Sequence, residues 1–582
     1  MSPVDRVRRS TVRMRVCLLA IAFVLSLFAA RLFQLQGLDV NAYASMATDE
    51  GSQTVTLHAP RGAILDRFGV EMAATVEAVA LTADPTMTAD QAPAIAAVLT
   101  RHLGIDYFTT VTKLRTPQTR FVYLARRVPA WRADAVTTDL REARLPGVFT
   151  ERDPLRSYPG HDVAANLIGF VGHDGAGLAG LEQQYDDLLS GADGQATYVV
   201  SPAGERIPLA AASIQDPAPG VSLQTTIDRD VQWYADQRLE QAVAETGSDW
   251  GAAVTLDVGT GQVVQFSQYP TFDPNDASDL RGQTLSVRGV QNVYEPGSVQ
   301  KVLTFSALAD AGEVTPRTRI KVPGALWIDG HEVNDDWEHG MIHLTATGAL
   351  AKSSNLGTVL ASRRLSDKQL YEALRSFGLG AATGVGLPGE SRGILPEPEG
   401  WADINHATIA FGQGISVTVL QMAAAVSAVA NGGTYVQPTL VSGFVQPDGS
   451  VTPAPEPATW QAVSERAAGM VAQMMEAVTV EGGTAPLAAI PGYRVAGKTG
   501  TAERVDPETG QYVEGQRTIS FAGFAPADEP RFMTYVVLDN PKGDFYGGTA
   551  AAPVFHDVMS MLLQRYGVPP TGAKPPDDKL EW

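Results

Sequence analysis

Residues 294–313, YEPGSVQKVLTFSALADAGE, place a serine and a lysine three positions apart at the start of a predicted helix. After the Pro-Gly pair at 296–297, apolar residues recur at the spacing of one helix face. Ser298 opens this helix, and Lys301 lies one turn on and on the same side. Ser298 is therefore either a helix cap or a nucleophile with its base beside it, and this stretch alone leaves both interpretations open.

The nucleophile hypothesis makes a strong demand on Lys301. A serine hydroxyl attacks only when a base takes its proton. With a reference pKa of ~10.4, only about 0.04% of a lysine is neutral at pH 7. Burial and a nearby second cation both lower a lysine pKa, by up to ~3–5 units. The hypothesis thus requires a dry pocket and preferably a second lysine. Otherwise Ser298 caps the helix, a position that serine prefers, and Lys301 is solvated.

Two further motifs weaken the cap interpretation. Ser298 is the only serine with lysine three residues later, Ser353-Ser354-Asn355 is the only S-x-N in the chain, and Lys498-Thr499-Gly500 is the only K-T-G. These three motifs occur in this order in penicillin-binding proteins and class A β-lactamases, with S-x-N here in place of S-D-N. Each motif alone is weak evidence, but together and in order they indicate a serine acyltransferase site.

The residue types suit that chemistry. Ser353 can relay protons, Asn355 can hold Lys301 and a substrate amide, and Lys498 supplies the second cation.

The segment YRVAGKTGTA is typical of a strand, in which Gly500 permits close approach of another backbone. Thr499 and Thr501 offer hydroxyl groups to a substrate carboxylate. The backbone N–H groups of Ser298 and Thr501 form a candidate oxyanion hole, where one donor is typically worth ~2.7–4 kcal/mol.

Over about residues 12–565, the chain resembles the class B penicillin-binding proteins, which are peptidoglycan D,D-transpeptidases. RGAILDRFG (61–69) is similar to the family signature R-G-x-I-x-D-R-x-G. In the second box, RSYPGHDVAANLIGFVG, Asn166 stands where many members have His. YEPGSVQK, NDDWEHG and FAGFAPADEPRF resemble division-type (FtsI-like) members from actinobacteria. The other matching segments are GLAGLEQQYDDLLSG, LQTTIDRDVQ, FGQGISVTVLQMAAAVSAVANGG and AGKTGTAERV.

The resemblance implies a donor stem peptide that ends in D-Ala-D-Ala. Ser298 would attack the penultimate D-Ala carbonyl and expel the last D-Ala, and an amine of an acceptor stem would then take the acyl group. β-Lactams would mimic the donor and acylate the serine. No cofactor is needed. The partners implied are a membrane-embedded SEDS glycosyltransferase of the FtsW or RodA type and other divisome proteins, and the role implied is septal.

The N-terminus predicts the location. Residues 1–15 carry five arginines and one aspartate and precede an apolar run, Val16–Leu35, of 20 residues. About 20 such residues span a bilayer, and preceding basic residues place the N-terminus in the cytoplasm. A cleaved signal peptide is the alternative, but Phe28 occupies a position where the cleavage site would need a small residue. We expect an uncleaved single-pass anchor in the cell membrane with the remaining chain outside.

The expected fold class is α+β. It comprises a transmembrane helix, an elongated β-rich pedestal, and a transpeptidase domain with an antiparallel sheet packed between helices plus an all-helical subdomain. Arg61 in one pedestal box and Glu182 in another predict internal ion pairs. The expected domains are a cytoplasmic tail (1–15), the anchor (16–36), a pedestal of the dimerisation type (37–240), the transpeptidase domain (241–567) and a flexible tail (568–582).

Other classes fit less well. The net charge of −20 argues against a nucleic-acid binder, and the single cysteine, Cys17, excludes an intrachain disulfide. His339 and His343, with Asp335 or Asp336, form a candidate metal pair, but Gly340 follows His339 where a zinc motif would carry Glu. We therefore expect no metal site. A Ser-His-Asp triad is also disfavoured, because no serine lies in a G-x-S-x-G motif.

Two rivals to the transpeptidase remain. A β-lactamase or β-lactam sensor would share the acylation chemistry, but no deacylating base is identifiable and the 37–240 module would have no use in one. A non-catalytic cell-wall scaffold would not need all three motifs intact.

Overall fold

The computed structural model of the chain describes residues 3–34, 52–199, 213–276, 278, 280, 285–506, 509 and 511–582. The chain forms two compact units, one of Met1–Ala59 with Ala192–Ala218 and one of Pro60–Gly191 with Pro219–Trp582.

The first unit contains the N-terminal helix and a small sheet. Pro3–Phe33 forms one helix, so residues 3–15 of the predicted cytoplasmic tail continue into the predicted anchor. Its segment Val12–Phe33 has a mean hydropathy of 2.5 and is long and apolar enough to cross a membrane. Residues 35 and 36 of the predicted anchor lie outside the described residues. The sheet is antiparallel, with strands Ser52–Leu57, Gly194–Val199 and Ser213–Gln215 in that order.

An antiparallel five-stranded sheet, here called the central sheet, organises the second unit. Its strands alternate between two cores: Ala253 and Val536 face one, while Ala252 and Val537 face the other. Because both faces are covered, the strand Trp250–Asp257 is buried at every position. The order across the sheet is Val263–Tyr269, Trp250–Asp257, Phe532–Asp539, Tyr512–Ala525 and Ala496–Val505.

Helices cover both faces of the central sheet. Arg229–Thr246 and Ala552–Arg565 pack on one face, and Val419–Ala430 and Glu465–Glu476 pack on the other. The helix Lys301–Asp310 packs beyond this second layer and is surrounded by helices. The helices of this region are Ala346–Ala351, Asn355–Ser362, Asp367–Ser376 and Asp403–Phe411. The paired strands Arg319–Val322 and Ile342–Thr345 pack against the first two, so the subdomain expected to be all-helical also contains strands. The predicted sheet between helices and the α+β fold class are confirmed.

Residues 60–191 and 219–240 of the predicted pedestal lie in the same unit. Their six-stranded sheet includes Val441–Val445, which pairs antiparallel with Ser222–Thr225. The helix Arg229–Thr246 runs without a break across residues 240 and 241, so the boundary proposed there stays a prediction. The six strands in order are Val451–Pro453, Val441–Val445, Ser222–Thr225, Ile64–Leu65, Glu71–Val76 and Leu155–Ser157.

A three-stranded sheet backed by helices forms a separate core within the pedestal. Its strands in order are Val122–Pro129, Ala78–Ala83 and Val148–Arg152, and its helices are Pro85–Thr88, Ala92–Leu103, Tyr107–Leu114 and Ala130–Glu142. The remaining helices are Ala165–Ile168, Gly180–Gln184, Asp186–Leu189 and Arg288–Gln291. The shorter turns of helix are Ala89–Gln91, Gly297–Gln300, Pro398–Gly400, Pro486–Ala488 and Gly547–Ala551. The two-stranded pairs are Arg319–Val322 with Ile342–Thr345, Leu326–Ile328 with His331–Val333, and Thr434–Val436 with Thr459–Gln461.

The end of the chain differs from the flexible tail expected for residues 568–582. The carbonyl of Leu580 accepts a hydrogen bond of 2.9 Å from the Thr345 N–H. The Trp582 ring stacks on His343 with centroids 4.7 Å apart. The strand Ile342–Thr345 is a sheet edge, and its free backbone groups bind the tail. The Pro-rich composition predicted a flexible tail, and these contacts contradict that prediction.

Candidate active site

Ser298 lies in the 3-10 turn Gly297–Gln300, which continues directly into the helix Lys301–Asp310. It occupies neither N-cap position, since Pro296 precedes the turn and Gln300 precedes the helix, and neither cap makes a side-chain hydrogen bond. The cap interpretation is wrong because Ser298 lies inside the helical run.

Three glycines let the serine turn touch its neighbours. Gly297 has φ +53°, and a Cβ there would lie 2.4 Å from the carbonyl oxygen of Thr501. A Cβ on Gly412 would lie 2.1 Å from the carbonyl oxygen of Gly297. On the strand Ala496–Val505, a Cβ on Gly500 would lie 3.0 Å from a methyl group of Val299. The turn is therefore held between the K-T-G strand and the loop at Gly412.

The predicted base is in the dry pocket that it needs. Lys301 is fully buried. Its Nζ donates to the carbonyl oxygen of Ser353 (2.5 Å), to Oδ1 of Asn355 (2.7 Å) and to Oγ of Ser353 (3.3 Å). Burial lowers the pKa of Lys301 to about 8, against the opposing charges of Asp335 and Asp336. The neutral form of Lys301 is therefore a minority near pH 7, but far more populated than in a solvated lysine.

Lys498 is the second buried cation. It extends from the strand Ala496–Val505, is fully buried, and donates to Oγ of Ser353 at 2.9 Å. Burial, and then the charge of Lys301, lower the pKa of Lys498 well below its usual value. The Ser353 hydroxyl thus contacts both amines, as a proton relay requires. Ser353 holds this place in a left-handed backbone conformation (φ +60°), which is unfavourable for serine.

The other predicted residues surround this pair. Asn355 donates from Nδ2 to the carbonyl oxygen of Asn334 at 3.0 Å, which fixes its Oδ1 toward Lys301. The hydroxyl groups of Thr499 and Thr484 lie 2.9 Å apart, and Thr499 is 8% exposed. Thr501 is partly exposed beside the serine turn.

Asp335, which its sequence pattern indicated only as a candidate metal ligand, supports the Ser353–Asn355 turn. Its carboxylate accepts hydrogen bonds from Oγ of Ser354 (2.7 Å) and N–H of Leu356 (3.0 Å) and contacts Nε2 of His339 (3.0 Å). His343 stacks on Trp582 instead. Among the described residues, no group of three or more metal-ligating side chains occurs. The acidic pair in NDDWEHG was the signal available in the sequence.

A second missed support is Glu295, three residues before the serine. It accepts hydrogen bonds from N–H of Gly414 (2.7 Å) and from the hydroxyl of Tyr512 (3.1 Å). Burial raises the pKa of Glu295. The Tyr294 hydroxyl contacts that of Tyr535 at 2.5 Å. The contacts of Tyr294 and Glu295 hold the segment just before Ser298 against neighbouring elements.

Comparison with known proteins extends these observations. Residues 251–560 match the family described as the penicillin binding protein transpeptidase domain. Residues 56–225 match the penicillin-binding protein dimerisation domain.

Full-length relatives are also similar. The penicillin-binding protein PbpB of Mycolicibacterium smegmatis is 38% identical, with 95% of this chain and 90% of that protein aligned. The peptidoglycan D,D-transpeptidase FtsI of Escherichia coli K12 is 33% identical, with 95% of this chain and 91% of that protein aligned. The crystal structure of penicillin binding protein 3 from Mycobacterium tuberculosis complexed with aztreonam matches with TM-score 0.72 at 34% identity, covering 91% of this chain and 100% of that one.

Proposed function

Since the chain belongs to the class B penicillin-binding proteins, we propose that it is a membrane-anchored peptidoglycan D,D-transpeptidase that cross-links stem peptides through an acyl-enzyme on Ser298. The observation that carries this proposal is the contact of the single Ser353 hydroxyl with the two buried amines of Lys301 and Lys498. Buried lysines with lowered pKa values are the bases that serine activation needs.

In the proposed acylation, neutral Lys301 takes the proton of Ser298, whose Oγ attacks the penultimate D-Ala carbonyl carbon. The N–H groups of Ser298 and Thr501 bind the oxyanion. The peptide bond to the terminal D-Ala breaks, and its amine takes the proton from Lys301 through the hydroxyl of Ser353. The acceptor amine then attacks the ester carbonyl carbon and loses a proton to Lys301, which passes it to Oγ of Ser298 as the ester C–O bond breaks. A new amide forms and Ser298 is regenerated.

Substrate binding is assigned to the K-T-G strand and to Asn355. Thr499 and Thr501 donate hydrogen bonds to the terminal carboxylate of the donor, and Lys498 adds a positive field. Gly500 keeps the strand close enough for these contacts because it carries no side chain. Asn355, held toward Lys301, binds the substrate amide.

β-Lactams are the proposed covalent inhibitors. The related protein from Mycobacterium tuberculosis has been crystallised with aztreonam and ampicillin. A β-lactamase would also need a base that activates water against the acyl-enzyme. Among the described residues, the side chains that hydrogen-bond to the Ser353 hydroxyl are the two lysines and not a carboxylate.

The proposed setting is the division septum, in keeping with the FtsI name of one relative. The arginines before the apolar helix support an N-terminus inside the cell and an active site outside. A SEDS glycosyltransferase and other divisome proteins are the proposed partners.

Acylation of Ser298 is the decisive test. The full chain in detergent is treated with a labelled penicillin, digested and analysed by mass spectrometry. We expect the label on Ser298, none in Ser298→Ala, and cross-linked product from lipid-linked substrate only with the unmodified enzyme. A label on another serine, or a folded unmodified protein that takes none, would contradict the mechanism. Labelling without cross-linked product would favour the β-lactam sensor.

A further inference from the structure

Residues 578–582, here called the strap, add a third strand to a two-stranded pair. The N–H of Thr345 donates to the carbonyl oxygen of Leu580 at 2.9 Å. The N–H of Trp582 donates to the carbonyl oxygen of His343 at 3.1 Å. Both hydrogen bonds join the strap antiparallel to a strand whose other edge is already paired. The strap therefore covers a sheet edge of the transpeptidase domain.

Trp582 anchors the strap. Its ring stacks on His343, and the guanidinium carbon of Arg319 lies 4.7 Å from the centroid of the ring. Its Nε1–H donates to the carbonyl oxygen of Leu344 at 3.1 Å. Although the side chain is 38% exposed, it thus contacts a ring, a cation and a backbone acceptor at once.

The strap lies against the helix Ala346–Ala351. A Cβ on Gly348 would lie 1.9 Å from the carbonyl oxygen of Leu580, so only glycine allows this contact. The hydroxyl of Thr345 caps the helix by accepting a hydrogen bond from Gly348 N–H (2.9 Å), and it donates to the carbonyl oxygen of Lys579 (2.7 Å). The strap therefore holds the start of the helix by packing and through the cap.

The same helix ends at the S-x-N motif. The N–H of Ser353 donates to the carbonyl oxygen of Leu350 at 3.1 Å, so the motif continues directly from the last turn of the helix. Lys352, just before it, pairs with Glu581 of the strap at 3.2 Å. The helix has six residues and is about 9 Å long, so a displacement of its start also moves its end.

The position of Ser353 leaves little room for such a displacement. Its hydroxyl contacts the amines of Lys301 and Lys498 at 3.3 and 2.9 Å. A shift of about 1 Å would lengthen at least one of these contacts beyond hydrogen-bond distance. The backbone of Ser353 has φ +60°, and a serine keeps this conformation only where the surroundings hold it.

The strap also contacts the layer that supports the K-T-G strand. Oδ2 of Asp578 accepts a hydrogen bond of 2.8 Å from Nε2 of Gln473. Gln473 lies on the helix Glu465–Glu476, which packs against the strand Ala496–Val505. One short segment thus joins the two sides of the site.

Building on the proposed function, we propose that the strap is a positioning element for the acylation reaction. The carbonyl group of Leu580 and the ring of Trp582 hold the helix Ala346–Ala351, so that the hydroxyl of Ser353 stays between the two buried amines. The strap acts through Ser353 and not on the substrate.

The test separates the rate of acylation from the amount of active enzyme. Trp582→Ala, as full chain in detergent, is mixed with a fluorescent penicillin, and labelling of Ser298 is followed to completion. The amplitude counts the folded sites, and the rate constant reports how well each site is arranged. We expect full amplitude with a rate constant at least about tenfold lower, because a displacement of about 1 Å can cost ~10²-fold in rate.

A second variant dislodges the strap without changing its sequence. In Gly348→Ala the new methyl group meets the carbonyl oxygen of Leu580, while alanine is the better helix former. Its rate constant should fall as in Trp582→Ala. The double variant should be no slower than the slower single one, because both changes remove the same contact. Losses that multiply in the double variant would overturn the proposal.

Trp460→Ala is the matched control. Trp460 is 40% exposed, stacks on Tyr435 and donates from Nε1 to the carbonyl oxygen of Ser376, so its exposure and contacts resemble those of Trp582. It should keep the rate constant of the unmodified enzyme. If Trp582→Ala also keeps that rate constant, with or without a loss of amplitude, the strap does not position the site and the proposal fails.

A measurement on the unmodified protein keeps the proposal testable if the variants do not fold. Hydrogen exchange followed by mass spectrometry should show protection of the N–H groups of Thr345 and Trp582. Exchange of residues 578–582 at the rate of an unstructured peptide would overturn the proposal while leaving acylation of Ser298 intact. Failure of the unmodified enzyme to label Ser298 would instead refute the proposed function.

Discussion

Lys301 and Lys498 are fully buried, and their amines both contact the hydroxyl group of Ser353. Among the residues that the structure describes, neither has a carboxylate within ion-pair distance. A buried charge is normally paired, and leaving it unpaired costs free energy. The site therefore disfavours the charged forms of both lysines, which is the property that makes Lys301 able to accept a proton.

Replacing Lys301 by methionine tests this at the residue scale. Methionine fills a similar volume but has no amine, so acylation of Ser298 should fall by about 10²–10⁴-fold. The folded pKa of about 8 lies below the unfolded value of ~10.4, so the unmodified protein gains stability as pH rises from 8 to 10.4. Lys301→Met buries no charge, so near pH 8 it should melt at a higher temperature than the unmodified protein. This difference in melting temperature should shrink as the pH rises to 10.4, because only the unmodified protein gains stability over that range. A constant difference across it would contradict the lowered pKa.

Carboxylate recognition by the K-T-G strand is a second residue-scale prediction. A donor amidated at its terminal carboxylate should acylate Ser298 at least about tenfold more slowly than the free acid, because the hydroxyl groups and the field of Lys498 favour an anion. Thr499→Val removes one hydroxyl and keeps the shape of the side chain. It should slow the free acid much more than the amide. Equal losses for the two donors would remove Thr499 from carboxylate binding.

At the scale of elements, glycines determine how closely the serine turn packs. The loop carrying Gly412 and Gly414 runs beside it, and both glycines have positive φ, +95° and +77°. They differ in surroundings: a Cβ on Gly412 would strike the Gly297 carbonyl at 2.1 Å, whereas one on Gly414 would have no atom nearer than 3.6 Å. Alanine at Gly414 therefore tests backbone strain alone, whereas alanine at Gly412 also displaces the serine turn.

Gly412→Ala should push the turn away from the Gly412 loop and against the K-T-G strand. We expect acylation to fall more than about tenfold and stability to fall by about 1–3 kcal/mol from overpacking, in addition to left-handed strain of about 1–2 kcal/mol. Gly414→Ala carries the left-handed strain alone, worth about 1–2 kcal/mol, and should acylate almost normally. Acylation rates and urea unfolding measure both effects. Similar acylation in the two variants would show that the turn does not depend on this contact.

At the scale of the whole molecule, the sequence predicts what is encoded locally. The helix after Ser298 follows from its apolar spacing, and the strand through Lys498 follows from its composition. The support of Asp335 by His339, the docking of Trp582 on His343, and the position of Arg156 depend on residues that fold together from distant or irregular segments. No periodicity marks such contacts, which is why they became visible only in three dimensions.

The ion pairs of the pedestal were predictable from the sequence only in part. The predicted partners Arg61 and Glu182 do meet, with Nε to Oε2 at 2.7 Å. Arg156, which the sequence analysis did not single out, binds the other carboxylate oxygen of Glu182 at 2.7 Å. Arg61 also reaches Asp186 at 2.6 Å. Glu182 is fully buried, so a single carboxylate joins three separate segments of the pedestal.

Glu182→Gln should reveal whether this cluster only stabilises the pedestal or also transmits a signal. Removing the charge takes the anion from the buried Arg156 and leaves Arg61 with Asp186 alone, and breaking such a buried pair typically costs ~3–5 kcal/mol. Penicillin acylation of Ser298 should persist below the melting temperature, because the cluster carries no catalytic motif. Arg152→Ala, which breaks a more exposed ion pair with Glu77 in the same pedestal, is the matched control.

If the cluster sets the angle at which a membrane-embedded glycan polymerase is engaged, Glu182→Gln stimulates a co-reconstituted polymerase less than the control does, even at temperatures where both proteins are folded. If stimulation instead falls only in proportion to the folded fraction across a series of pedestal variants, the ion pairs are structural and the pedestal does not activate the partner.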